Sequence, residues 1–174
     1  MTLAAPVRPL AGLLQQMRST IEQMDDETYS MPAPGRSSGG VGGHVRHCLD
    51  HVAALVTATR TGVVEYDRRR RGTDVEHCRM AAIHQIDELA ELLAALDSSV
   101  LDEPLLVETQ IDPSGAMILT RSSVCREVAF VISHTIHHNA IVAQLLAGRE
   151  LELDARFGMA PATPVESQVT ACAR

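Results

Sequence analysis

The sequence predicts an all-α fold: a four-helix bundle with a short extended or hairpin segment before the last long helix. Three observations predict it. Apolar residues recur at spacings of three and four in four separate windows, the period of an amphipathic helix. The windows are divided by clusters of Pro, Gly and Ser. At 174 residues and 45% hydrophobic content the chain has room for one buried core and little more. We therefore expect one domain over residues 1–174, with a core at about 9–148 and an irregular C-terminal tail at 149–174.

In the first window, residues 9–28, Leu10, Leu13, Leu14, Met17, Ile21 and Met24 fall on one helical face. The stretch YSMPAPGRSSGGVGG from Tyr29 to Gly43 reads as a loop long enough to cross the end of a bundle. The second helix is expected from about Val41 to Thr61, with Val45, Leu49, Val52, Leu55 and Val56 on its apolar side and Gly62 as its stop. Arg68 to Arg71 form a charge run that reads as a solvated turn between helices, with an anion or partner patch as the less favoured reading. Thr73-Asp74-Val75-Glu76 fits a capping box. It would open a third helix reaching about Leu96 and carrying Met80, Ile83, Ile86, Leu89, Leu92 and Leu93. Residues 105–119 hold extended stretches around Pro113-Ser114-Gly115, which suggests a short hairpin or a looped crossover. Ser123 is placed to cap a fourth helix running to Ala147, with Glu127 in its first turn and Gly148 beyond its end. No internal repeat of fixed period is present.

Composition excludes several functions. The formal charge is −7, and the sequence contains no Lys. An acidic surface repels phosphate backbones, so we expect no nucleic-acid partner. Without Lys there is no Schiff base and no P-loop. Two Tyr, two Phe and no Trp leave little for stacking on single strands. No apolar run reaches 18 residues, so no membrane partner is expected. The opening MTLAAPVRPLAGLL lacks the pattern of a secretory signal, which makes the expected location cytoplasmic. Cys48, Cys78, Cys125 and Cys172 form no CxxC pair. Three of them sit in helical patterns, where a cysteine is expected to be a small buried hydrophobe.

The histidines carry the chemistry. Six of the eight fall in two clusters: His44, His47 and His51, then His134, His137 and His138. At about 100° per residue the first three lie within roughly 60° of one another on the second helix. His134 and His138, an i, i+4 pair, project from successive turns of one face of the fourth helix. Such a pair can chelate one ion, and a third imidazole from a facing helix leaves a coordination position open for water or substrate, as in catalytic sites. His44 or His51 can stand in for His47 as ligand or supply an acid–base group. His137 is expected to be exposed, and nothing converges on His77 or His84. Asn139 and Gln144 are candidates for hydrogen bonds near the site.

HVRHCLDHV, followed about 85 residues later by SHTIHHNAIVAQ, resembles the DinB/YfiT-like superfamily of metal-dependent four-helix-bundle proteins over about residues 10–150. In that family the second helix carries a ligand His in an H-x-x-D setting, matched here by His47 and Asp50. The last long helix carries HxxxH, matched by His134 and His138. FGMAPAT in the tail is similar to a segment of some members. The resemblance implies His47, His134 and His138 as metal ligands. Asp50 is then a candidate to orient an imidazole or accept a proton, against the alternative of a solvent-facing acid. Together with His51 it makes up the candidate catalytic pair.

Three neutral imidazoles suit Zn or Ni. The family resemblance adds two expected activities on a small-molecule substrate: hydrolysis, or transfer and isomerisation with a low-molecular-weight thiol as cosubstrate. It also suggests a homodimer. The competing class is a noncatalytic metal-binding bundle acting as a binding or stress-response module.

Overall fold

Residues 6–32, 39–68 and 72–164 are described by the computed structural model. Among them the chain forms six α-helices: α1 (Arg8–Glu22), α2 (Asp26–Ser30), α3 (Val41–Thr61), α4 (Asp74–His77), α5 (Arg79–Ala94) and α6 (Val124–Leu145). It also forms three strands, β1 (Val63–Glu65), β2 (Pro104–Gln110) and β3 (Met117–Ser123). The fold is mostly helical, but the strands make a sheet of order β1-β2-β3, so the all-α expectation is corrected to helices plus a small mixed sheet.

The first helical window divides because Asp25 accepts a hydrogen bond from the Thr28 amide at 2.7 Å, which starts α2 as a separate turn. α1 buries Leu10, Leu14, Met17 and Ile21, the expected stripe. α3 keeps its expected bounds. It ends at Gly62, whose φ of +75° is the left-handed conformation that glycine adopts without strain. The third helix is not continuous. Cys78 stands in an extended conformation, φ −120° and ψ 110°, and separates α4 from α5. Thr73 makes no side-chain capping bond, so the capping box does not form. After the break the buried stripe is Ala82, Ile83, Ile86, Leu89 and Leu93, while Met80 and Leu92 lie outside it, 48% and 43% exposed.

β2 and β3 pair antiparallel, Val107 opposite Thr120 and Leu105 opposite Ser122, around a turn that Asp112 holds. Asp112 Oδ1 accepts from the amides of Ser114 and Ala116 at 2.9 and 3.0 Å, and Gly115 takes φ +91°. The hairpin alternative is thus the one realised. β1, which directly follows Gly62, pairs parallel to β2 with Val63 opposite Leu106. The connection between these two strands carries α4 and α5, as a parallel pair requires.

α3 packs against α5 and α6, and α1 packs against the same two helices. Apolar residues of the helices and of the sheet's inner face, Leu105 and Val107, join in one buried core. Gly42 lets α3 approach α4 closely: a Cβ there would stand 2.1 Å from the Glu76 carbonyl oxygen. Beyond α6 the described chain to residue 164 has neither helix nor strand. It packs back through buried Phe157 and through Gly158, where a Cβ would meet the Ala140 backbone at 2.5 Å. Of the arginine run, Arg68 pairs with Glu65 at 3.0 Å on the surface, and Arg69 to Arg71 lie outside the described residues.

Candidate metal centre

α3 and α6 lie against each other, and each presents a histidine stripe to the seam. On α3 the stripe is His44, His47 and His51. On α6 it is Arg126, Phe130, His134 and His138, spaced four apart and so on one face. Five imidazoles meet there. His47 Nε2 lies 2.8 Å from His134 Nε2, and the His51 and His134 rings stack with centroids 4.1 Å apart. One ligand nitrogen from each of His47, His51 and His134 lies within 4.8 Å of the other two. His138 stands beside this trio, its ring 4.5 Å from His47 and 4.6 Å from His134. Its Nδ1 is 2.9 Å from His44 Nδ1.

This donor set fits a divalent ion. Three nitrogens around a tetrahedral ion at about 2.05 Å stand roughly 3.3 Å apart, between the 2.8 Å contact seen here and the 4.8 Å outer bound. Modest ring rotations therefore bring the set together. The contact between His47 and His134 needs a proton on one of the two nitrogens, or a cation that both lone pairs face. His51 is already oriented: its Nδ1–H donates to the His47 carbonyl oxygen at 2.9 Å, which leaves Nε2 with the lone pair. Two of these rings favour the neutral form. Burial, followed by the neighbouring imidazoles His134 and His44, pushes His138 down to about 3. Burial also lowers His44, partly offset by its hydrogen bond to the Gly39 backbone.

The surroundings hold these rings from outside. Tyr66, next to β1, stacks on His51 with centroids 4.9 Å apart and planes 13° from parallel. Its hydroxyl donates to Glu127 Oε2 at 2.9 Å. Glu127 is fully buried, and its Oε1 accepts from Ser122 Oγ at 2.5 Å and from Arg126 at 2.8 Å. Burial, then the Glu127 carboxylate beside it, raises Tyr66 well above the usual phenol range. Phe130 stacks on His134 at 5.6 Å.

The other sequence candidates are placed as follows. Asp50 pairs with Arg46 at 3.6 Å, and Arg46 reaches Glu76 at 3.2 Å; Asp50 also lines a separate cavity of about 590 Å³ beside β1 and α5. His137, His77, His84 and Gln144 are exposed, and Asn139 is buried. Among the described cysteines Cys48 is buried, and burial pushes its thiol up to about 12. Cys78 and Cys125 are exposed, against the expectation of burial, because one sits at the helix break and the other on the outer face of α6. Tyr66, Glu127, Phe130 and Arg126 were not anticipated as parts of the site. The four-residue spacing from Arg126 to His138 was the signal available for two of them.

Mostly helical architecture with a small sheet, and an imidazole cluster between the two longest helices, define a class: this is a DinB-like fold. One solved structure it matches is that of a DinB-like protein, YjoA, from Bacillus subtilis. The TM-score is 0.61 over 86% of this chain and 96% of that one, at 16% identity, so what is shared is the fold. No protein-family model matches the chain. Among curated proteins, FK506-binding protein 5 of Rhizopus delemar is 31% identical over 110 residues. That match covers 63% of this chain and 29% of the fungal protein, so the chain spans less than a third of that relative's length. No helix among the described residues is long and apolar enough to cross a membrane.

Proposed function

We propose that this chain is a metal-dependent enzyme that holds Zn or Ni on imidazoles of α3 and α6 and acts on a small molecule by thiol transfer or hydrolysis. The observation that carries the reading is the trio His47, His51 and His134, whose ligand nitrogens lie within 4.8 Å of one another, a group that no carboxylate or thiolate joins among the described residues. His47 and His134 are ligands in this reading. The third ligand is His51 or His138, the latter as the family pattern implies. Such an ion lowers the pKa of a bound water or thiol, or polarises a carbonyl. The protein's part is to orient the rings: the His47 carbonyl fixes His51, His44 holds His138, and the Tyr66–Glu127 pair backs the cluster. Asp50 and His51 remain the acid–base candidates. In the same reading the four long helices form a bundle, the protein acts in the cytoplasm and pairs as a homodimer, and the net charge of −7 with no Lys disfavours nucleic acid.

Elemental analysis of the purified protein, with His134→Ala beside it, tests the proposal. We expect about one divalent ion per chain and its loss in the variant; unchanged stoichiometry in His134→Ala overturns the site. Comparing His51→Ala with His138→Ala identifies the third ligand. A panel of thiols with electrophilic or ester substrates, before and after chelation, tests turnover. A chelated chain that unfolds, with no turnover when loaded, would point instead to an ion of purely structural use.

A further inference from the structure

We propose that the cavity of about 410 Å³ next to His51 binds the substrate of this site, and that the substrate is a monocarboxylate with an apolar body. The inference rests on the metal-enzyme reading for its reactive end, but not for its carboxylate anchor.

The cavity lies between the inner face of the β2–β3 hairpin and the α3–α6 seam, and its size is in the range of small-molecule sites. Val107 and Thr109 line it from β2, Thr120 from β3, Tyr66 from the end of β1 and Phe130 from α6. His51 is shared: it borders the cavity and belongs to the imidazole trio. A molecule filling the cavity therefore reaches the cluster at one end.

At the other end stands Arg126. Its guanidinium is fixed from two sides, by Glu127 at 2.8 Å and by the Phe130 ring, 5.4 Å from Cζ to centroid. Even so, 64% of its side chain is exposed. Glu127 uses one edge of a fork of five N–H donors, and the rest are presented in a held orientation, the arrangement that recognises carboxylates. The remaining charges at the cavity are Arg121 and Asp67, and Asp67 Oδ2 already accepts the Gln110 amide at 2.9 Å. Because Arg126 shares its charge with a buried carboxylate, a single negative charge suits it better than a dianion. From Arg126 to His134 the helix rises about 12 Å, with Phe130 midway. The stripe thus offers a cation, then an aromatic surface, then a metal ligand.

Titration of the metal-free protein with 4-ethylbenzoate and its neutral isostere 4-ethylbenzamide, by calorimetry and by amide NMR shifts, tests the anchor. We expect the carboxylate to bind at least about tenfold more tightly, with shifts at Thr109, Thr120 and Phe130. The double variant Arg126→Gln/Glu127→Gln, which leaves no buried charge unpaired, should erase that preference, so that the two probes bind alike. Arg126→Lys, which keeps the charge and loses the fork, should weaken benzoate severalfold and serves if the double variant does not fold. Equal affinity for the two probes, shifts confined to other regions, a preference that survives the double variant, or a benzoate affinity unchanged in Arg126→Lys overturns the proposal. Benzoate binding by a chain that takes up no metal would sink the enzyme reading while leaving this anchor standing. Metal uptake without the carboxylate preference would do the reverse.

Discussion

Removing the Glu127 carboxylate is the most informative single perturbation, because three donors from three places meet on it. In Glu127→Ala the Tyr66 hydroxyl, 8% exposed as a residue, loses its acceptor 2.9 Å away; an orphaned buried hydroxyl costs about 1–3 kcal/mol. The Ser122 bond adds about 0.5–1.5 kcal/mol. The Arg126 pair counts for little, about 0–1 kcal/mol, since that side chain is 64% exposed and screened. A loss of about 1.5–5.5 kcal/mol follows, a range that contains the roughly 3–5 kcal/mol expected when one partner of a buried ionic group is deleted. Glu127→Gln keeps the shape and an acceptor oxygen and should cost about half as much or less. Urea denaturation gives both numbers from the shift in midpoint, with the slope checked for constancy. A double-mutant cycle with Tyr66→Phe isolates the coupling between the two residues. A Glu127→Ala loss under about 1 kcal/mol, or zero coupling, would show that the carboxylate does not hold Tyr66 against His51.

Other consequences are open to direct measurement. A histidine whose pKa falls on folding takes up protons more readily when unfolded. The metal-free protein should therefore lose stability as pH drops below about 6.5 toward the value of about 3 set by His138. Urea midpoints at pH 7 and 5.5 check this, with His138→Gln flattening the dependence; a midpoint that rises on acidification contradicts it. Metal affinity should fall over the same interval, because protons compete for the imidazoles. Gly62→Ala should cost about 1–2 kcal/mol through the left-handed backbone alone, since nothing lies within 4 Å of a Cβ there. Gly158→Ala should cost more, because the tail must also lift from Ala140, and thermal midpoints rank the two. Mass-mapped alkylation should modify Cys78 and Cys125 quickly and spare Cys48 until the chain unfolds.

What was legible in the sequence, and what was not, follows from the range of the forces involved. Periodicity placed α3, and it placed α6 to within two residues of its C-terminal end, because each buries a continuous stripe, and local chemistry set their ends at Gly62 and Ser123. β1 was invisible: three residues have too short a pattern to read, and their conformation is set by a partner, Leu106 to Glu108, some forty positions away. The break at Cys78 was equally hidden. The capping signal did place the start of α4 at Asp74, after Thr73, but no local residue type marks the extended Cys78 that ends it. For the site, helical spacing was enough to gather five imidazoles, since two rigid rods that meet at one seam fix which faces oppose. Choosing among them was not possible from spacing. His51 follows His47 by four residues just as His138 follows His134, and the distinction depends on which ring nitrogen is engaged elsewhere: His51 Nδ1 by the His47 carbonyl, His138 Nδ1 by His44. The same limit hid Glu127, whose position in the first turn of α6 reads as an ordinary helix-start acid. Its part as the anchor for Tyr66 exists only because β1, itself unread, brings Tyr66 to it.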